Sequence, residues 1–374
     1  MAAFGVNSIS RRRKRRTDGR IVVSSRVRLA RNMRGAKFPD WSSDEELVGM
    51  GRFLGDAAVK AGRMVGRDMS FCEVVADDKT GFSNLLLEHG LISPSLLDRG
   101  MGSGVVFDDK AGLEADELFS VMVNEEDHFR IQCIRRGYDL DSALKAVDEY
   151  DTALNKLVPY AFSRKLGYLT ACPSNIGTGM RASVEVALPG LLLLDEFDAV
   201  SRAVTRLKFN VRGLAGEGSA VSSGTVQISN GGTLGLSERQ AVQALCKVVD
   251  EVVAQETNAR KYIAAKRPKY FLDYFARALS ILQNAYLISG DEAISCLMAV
   301  RLGIELGYVR GATLPVVDKL VHGIGHLTIK LLVGGALEDN GKGDAMDEAD
   351  EIDAMRSSLV SHQLRKAYIE EEPV

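Results

Sequence analysis

Five arginines, Arg26, Arg28, Arg130, Arg181 and Arg212, stand on or beside short segments whose apolar and polar residues alternate as they do in half-buried strands. Side chains two apart on a strand share a face, so Arg26 and Arg28 point the same way. One guanidinium alone suits a solvated surface; the set suits a polyanion. A triphosphate carries about four negative charges, and moving its terminal phosphoryl group is chiefly a matter of positioning and of spreading charge, which planar guanidinium forks do well. The stretch Val121 to Ile134 also alternates and predicts one strand with Met122, Asn124, Glu126, His128, Arg130 and Gln132 on a single, unusually polar face. Glu126 adds a carboxylate beside the cations, and its plainest alternative role is an ion pair with Arg130.

Other chemistries fit less well. Gly335 to Lys342 has one residue too many between its glycines for a phosphate-binding loop, and Gly343 stands where Ser or Thr would be needed. Gly177-Thr-Gly179-Met-Arg-Ala182, with Asp195 and Asp198 downstream, has the outline of a dinucleotide fingerprint. The segment after it alternates like a strand, where that fold requires a helix. His322 and His326 are spaced as ligands on one helical face, yet no acidic third ligand sits beside them, so they read as ordinary helix residues. Five scattered cysteines without a Cys-x-x-Cys pair indicate neither a disulfide framework nor a zinc site and predict a reduced, cytoplasmic setting.

The 374 residues are 46% hydrophobic and 26% charged, ordinary for a globular chain of two domains. A net charge of −3 conceals a basic run, Arg11 to Arg16, and an acidic one, Glu338 to Asp353. We read them as a flexible solvated tail and an exposed loop. No apolar h-region follows the basic run, so it is not a secretion signal. Apolar stretches such as Val184 to Leu194, broken by Pro189 and Gly190, fall short of the roughly 20 residues of a membrane helix.

Periodicity predicts the elements that must position the arginines. Ile21 to Ala30 is a strand, Ser42 to Val65 a helix, Cys72 to Ala76 a strand, and Asp98 to Asp116, rich in Gly and Asp, a loop insertion. Asp139 to Leu157 is a helix, Tyr168 to Ala171 and Met180 to Ala187 are strands, and Leu188 to Leu207 is a helix. Phe209 to Val211 and Thr225 to Ser229 are strands around a Gly-rich loop, Gly213 to Ser223. From Ser237, whose spacing to Gln240 is a capping box, the pattern is helical almost to the end. Residues 1–20 therefore form a tail, 21–260 a mixed domain and 261–374 a helical one, with the boundary inside a long helix.

Four motifs, in order, closely resemble those of the guanidino (phosphagen) kinases: Ser24-Ser-Arg-Val-Arg-Leu-Ala-Arg31, Asn124-Glu-Glu-Asp-His-Phe-Arg130, Cys172-Pro-Ser-Asn-Ile-Gly-Thr-Gly-Met-Arg-Ala-Ser183 and Arg212-Gly-Leu-Ala-Gly-Glu217. Classical members carry a long helical domain before the first motif. Here that motif starts at Ser24, which resembles the bacterial protein-arginine kinase branch, as do Gly216-Glu-Gly-Ser219, Gln227-Ile-Ser-Asn230, Thr233-Leu-Gly235 and Val300-Arg-Leu-Gly-Ile-Glu-Leu-Gly307.

The resemblance implies an α+β fold: a guanidino-kinase catalytic domain, its antiparallel β-sheet flanked by helices, followed by an all-α C-terminal domain that dimerises. It implies ATP with Mg2+. The ATP-contacting residues would be Ser24, Ser25, Arg26, Val27, Arg28, His89 (in Glu88-His-Gly-Leu-Ile-Ser-Pro94), Arg130, Arg181, Ala182, Ser183, Val184, Glu185, Arg212, Gly213, Leu214, Ala215 and Gly216. Glu126 and Glu217 match the family's paired glutamates, which hold the acceptor guanidinium and draw off its proton; Cys172 matches a supporting active-site cysteine. The branch also carries an Arg-Asp-x-x-Arg-Ala element that binds phosphoarginine; Arg356-Ser-Ser-Leu-Val-Ser361 keeps only its first arginine, making Arg356 the remaining candidate for that pocket. Implied partners are proteins with exposed arginines, a Clp ATPase, a heat-shock repressor, an adaptor-type activator and a second copy of the chain, with no membrane. Two other readings are a kinase for free arginine or another small guanidine, and a noncatalytic phosphoarginine-binding or nucleic-acid-binding regulator.

Overall fold

The computed structural model describes residues 21–74, 81–108, 115–213, 224–333 and 345–371, so the basic run, the near-miss phosphate loop and residues 214–223 lie outside the described residues. By contact the chain divides into two units. One comprises the residues up to Val186, Ala199–Arg212 and Gln227–Val253; the other comprises Ala187–Asp198, Gly213–Val226 and the residues from Ala254 on.

Alternation makes the strands of the first unit. In β1 (Val22–Arg31) Val27 and Leu29 are buried while Arg26 and Arg28 are half-buried on the other side. The strands that follow are β2 (Ser70–Glu73), β3 (Gly104–Phe107), β4 (Glu117–Val123), β5 (Phe129–Arg136), the short pair β6 (Phe162–Ser163) and β7 (Gly167–Tyr168), β8 (Met180–Ala187), β9 (Phe209–Gly213) and β10 (Thr225–Asn230). Eight of them form a sheet in the order β2-β3-β4-β5-β1-β8-β10-β9. β1 pairs antiparallel with both β5 and β8, and the β2–β3, β3–β4 and β4–β5 pairs are antiparallel too.

One face of the sheet is covered by two amphipathic helices. Asp44–Met64 starts at a capping box in which Ser43 accepts from Glu46 N and Glu46 from Ser43 N. Leu140–Leu157 starts at Asp139, whose side chain accepts from Ser142 N. Tyr150 of the second helix meets Phe119 of β4 with ring centroids 5.0 Å apart, on the face that also holds Cys133 and Val27. Over β3 and β4 the opposite face is covered by the short helices Phe82–Glu88 and Pro94–Arg99, with Leu86, Leu96, Val105 and Met122 buried between. The arginines stand past this cover, over β5, β1 and β8.

Three sequence expectations fail here for identifiable reasons. The predicted strand Val121 to Ile134 is two strands joined by a turn, because Asn124 takes a left-handed φ of 53°. Its amide donates to Leu47 O at 3.1 Å and Gly102 O at 2.8 Å, and Asn tolerates that conformation better than most residues. The predicted loop insertion Asp98 to Asp116 contains β3, fully buried between β2 and β4 although only four residues long. Turn-forming Gly100 and Gly102 just before so short a strand erase its periodicity, and Gly104 itself is required there, since a Cβ would overlap the Phe71 ring. The predicted helix Leu188 to Leu207 is two helices, Pro189–Leu193 and Phe197–Arg206, broken where Asp195 takes φ 58°. Smaller differences are the predicted strand Tyr168 to Ala171, of which only Tyr168 falls in a strand, and Cys72 to Ala76, where the strand ends at Glu73 and Val75 and Ala76 lie outside the described residues.

The second unit is helical around Phe271, Phe275, Leu297, Val300 and Tyr308, with one exception to the all-helix expectation: β11 (Val309–Arg310) pairs with β12 (Tyr368–Ile369). The capping box at Ser237 forms, Ser237 N donating to Gln240 Oε1 at 2.9 Å, and the helix it starts, Glu238–Lys266, runs through the division between the units. His322 and His326 fall on separate helices, Leu314–Gly323 and His326–Val333, so no single helical face holds both. Among the described residues, no helix is long and apolar enough to cross a membrane.

Candidate active site

The register of the sheet converts scattered arginines into one cluster. Arg28 on β1 stands opposite Arg181 on β8 and opposite Gln132 on β5, Arg26 stands opposite Ser183, and Arg130 stands opposite Ala30. Cross-strand partners share a face, so all four guanidiniums emerge from the same side. Arg26, Arg28, Arg181, Ser183, Arg212 and Gln227 line a cavity of about 110 Å³. Arg181 donates to Ser229 Oγ at 3.1 Å, and Arg26 donates to Gln132 Oε1.

The cations are crowded beyond what the fold alone calls for. Burial, then Arg130, Arg26 and Arg181, hold the Arg28 guanidinium well below its ordinary value, with Glu125 opposing. Burial, followed by Arg130 and Arg181, brings Arg26 down to about 10. Arg26 Nε is buried with no hydrogen-bond partner among the described residues. Like charges gathered in a partly desolvated cavity, with an unsatisfied donor, are arranged for an anion that supplies the missing acceptors.

The same alternation sends Ser25, Val27, Ala182 and Val184 to the opposite face, where they are buried. Their side chains therefore point away from the arginine face. Ser25 instead accepts from Asp139 N at 2.9 Å and donates to Gly137 O at 2.8 Å, fastening the start of helix Leu140–Leu157. Ser24 and Glu185 face the arginine side but pair with each other, Ser24 Oγ to Glu185 Oε2 at 2.9 Å; burial raises the Glu185 carboxyl and this bond opposes the shift. His89 caps helix Phe82–Glu88 and does not line the cavity; its neighbour Gly90 accepts from Gln132 Nε2 at 2.8 Å, which ties that turn to the arginine face. Gly213 ends β9, and Leu214, Ala215, Gly216 and Glu217 lie outside the described residues.

The two adjacent acids of the β4–β5 turn differ sharply. Glu125 is buried and takes both Arg130 Nη1 and the Ser93 hydroxyl, whereas Glu126 is about 33% exposed and lies 3.9 Å from Arg130 Nη2. Glu125 thus makes the closer ion pair with Arg130, the role weighed for Glu126 as an alternative to catalysis, while Glu126 stays at the edge of ion-pair range. Cys172 is half-buried at the start of a short turn, its Sγ 3.0 Å from Ser174 Oγ. Of the other cysteines, Cys133 and Cys296 are buried as apolar residues, and Cys72 and Cys246 are half-buried. Arg356, in the second unit, is 2% exposed, donating from Nε to Ile324 O at 2.8 Å, from Nη1 to Ile288 O at 2.7 Å, and also to Asp353. Sequence reasoning overlooked Glu125, Asn32 and Asp127; Glu125 and Asp127 stood inside the motif Asn124 to Arg130, but nothing local separates them from Glu126.

Asp127 and His128 lie buried in the same turn with opposite consequences. Burial chiefly pushes the Asp127 carboxyl up to about 6, while hydrogen bonds from Ala171 N and Asn32 oppose this and Glu126 adds to it; burial pushes the His128 imidazole down to about 4. The folded chain holds the Asp127 proton more tightly than the unfolded chain, a contribution present at low pH and lost as pH rises through 6. The neutral His128 ring contributes above its unfolded value of 6.5, and that contribution is lost as pH falls towards 4. The two largely offset in the wild type. Asp127→Asn removes only the first, so between pH 7 and 4 this variant is expected to lose about 2 kcal/mol more than the wild type in urea unfolding. Parallel stability curves for the two proteins would contradict the assignment.

The profile of the family described as ATP:guanido phosphotransferase, C-terminal catalytic domain, matches residues 72–259, and that of the protein-arginine kinase McsB C-terminal domain matches 268–373. A lombricine kinase crystal structure is similar with a TM-score of 0.54 and 25% identity, covering 65% of this chain and 68% of the other. The duplicated taurocyamine kinase of Schistosoma mansoni gives 0.56 and 26%, covering 73% and 39%. Sheet, arginine cluster and these likenesses together define an ATP:guanido phosphotransferase. Within that class, the protein-arginine kinase of Bacillus pumilus is 37% identical over 350 residues, 92% of this chain and 90% of the relative. That of Clostridium acetobutylicum is 37% identical over 292 residues, covering 78% and 84%. The chain belongs to the protein-arginine kinase family.

Proposed function

We propose that the protein transfers the γ-phosphoryl group of ATP to arginine side chains of other proteins. The observation that carries this reading is the cavity lined by Arg26, Arg28 and Arg181, with Arg130 nearby, where burial and then the neighbouring cations depress the Arg26 and Arg28 guanidiniums. Such a cradle fits the polyphosphate, with Arg212 reaching the same cavity. Magnesium accompanies the nucleotide.

Glu126 and Glu217 grip the acceptor guanidinium and align one nitrogen with the γ-phosphorus, one of the two accepting its proton as ADP leaves, while Cys172 supports the acceptor from the side. Ser24, Ser183, Glu185 and the turn of His89 shape the nucleotide site around the arginines, and Gly213, Leu214, Ala215 and Gly216 remain candidate ATP-contacting residues by resemblance. Residues 21–260 carry the chemistry; 261–374 form the dimerisation and regulatory domain, where Arg356 retains one element of a phosphoarginine pocket. In the cytoplasm, phosphoarginine would mark proteins for a Clp-type protease and switch off a heat-shock repressor, under an adaptor-type activator.

The test is incubation with ATP, magnesium and an arginine-rich protein, with free arginine as a competing acceptor. Acid-labile phosphate on protein arginines is the expected product. Preferential phosphorylation of free arginine would instead make the protein a small-guanidine kinase, and no transfer to either acceptor would remove the proposal.

A further inference from the structure

Two buried polar residues outside the nucleotide cavity join the three segments on which the proposed chemistry depends. Asn32, 1% exposed, follows β1 directly, and Asp127, 3% exposed, follows Glu126. Asp127 Oδ1 accepts from Asn32 Nδ2 at 2.6 Å and from the main-chain N of Ala171 at 2.7 Å. Asn32 Nδ2 donates also to Leu169 O at 3.0 Å, and its Oδ1 accepts from His128 N at 2.9 Å. The end of the arginine strand β1, the turn bearing Glu126 and the segment entering Cys172 are therefore held by one pair of side chains. Glu126 and Cys172 each lie a single peptide away from an atom of this joint.

We propose that Asn32 and Asp127 are positioning residues that set Glu126 and the Cys172 thiol relative to the arginine strand. This rests on the proposed phosphotransfer reading. A carboxylate is suited to the task because one oxygen serves two donors from different segments, and a charged acceptor binds each more strongly than a neutral one. The arrangement is buried, so water cannot take over either bond when the acceptor is removed. Neither residue lines the arginine cavity, so the joint acts on alignment of the acceptor and not on nucleotide affinity.

The experiment compares Asp127→Ala, Asn32→Ala and the conservative Asp127→Asn in the full-length protein. The alanine variants are expected to lower kcat by about 100-fold, the usual effect of an ångström-scale misalignment, with KM for ATP changed by less than about twofold. The alkylation rate of Cys172 by iodoacetamide, followed by mass spectrometry of the peptide, should change by at least about threefold in the alanine variants and return towards wild type in Asp127→Asn, which keeps an acceptor oxygen. A loss of ATP affinity and melting temperature in step with kcat, without rescue by Asn, would reduce the pair to a structural brace and overturn the proposal. So would unchanged kcat and thiol reactivity in the alanine variants. The alkylation arm needs no turnover: wild type without kinase activity would sink the functional reading, whereas unaltered Cys172 reactivity in a folded Asp127→Ala protein would sink the joint.

Discussion

Glu126→Gln is expected to slow phosphotransfer to arginine by about 10²- to 10⁴-fold, the range for losing a positioned general base, while leaving the melting temperature unchanged. A guanidinium holds its proton until a pKa above about 12, so its nitrogen becomes nucleophilic only as a base draws that proton away. Gln at position 126 preserves shape and one hydrogen bond yet cannot accept the proton. The neighbouring acid cannot substitute for it, because Glu125 is buried against Arg130 and Ser93. Glu126 is a third exposed and reaches Arg130 only at 3.9 Å, so its loss should spare the fold. Glu217→Gln is expected to behave alike. Wild-type rates in both variants, measured as acid-labile phosphate per unit time, would refute the roles given to the two acids.

Arg28→Gln is expected to separate stability from function with opposite signs. Arg28 stands between Gln132 and Arg181, in the field of Arg26 and Arg130, and its guanidinium is held well below the ordinary range by burial and by those cations. Removing it relieves like-charge repulsion, so the nucleotide-free variant should melt no lower than wild type. Under the proposed nucleotide role, its hydrogen bonds to phosphate would be charge-assisted, about 1.5 to 3 kcal/mol in all, so ATP affinity should fall about 10- to 150-fold. Because charge spreads over the moving phosphoryl group in the transition state, kcat should fall further, by about 1,000-fold. Calorimetry with and without ATP reads both effects, since a ligand that binds only the folded chain raises its melting temperature. A destabilised Arg28→Gln that still binds ATP normally would show the arginine to be a structural residue.

The motifs made the arginines visible as a class, and alternation was enough to place Arg26 and Arg28 on one face. By the same period Ser25 and Val27 face the other way, where both are buried. Alternation within a strand says nothing of which strands adjoin. Arg28 meets Gln132 and Arg181 only because β1 lies between β5 and β8, more than 100 positions away in the chain. The adjacent acids Glu125, Glu126 and Asp127 have nearly the same intrinsic chemistry. A turn opened by Asn124 sends one to Arg130, leaves one at the surface and buries the third against Asn32 and Ala171.

From its sequence alone the chain determined the extent of the two helices that cover the sheet, the start of the long helix at Ser237, the shared face of Arg26 and Arg28, and the family to which its motifs belong. These properties arise from interactions among residues a few positions apart, such as the capping boxes at Ser43 and Ser237 and the period of two in β1 and β8. Tertiary structure alone decided which arginines share a cavity, which glutamate is neutralised, and that a four-residue strand hides in a glycine-rich stretch. Those outcomes depend on register, burial and the field of distant charges, quantities that come into being only when remote segments are packed together.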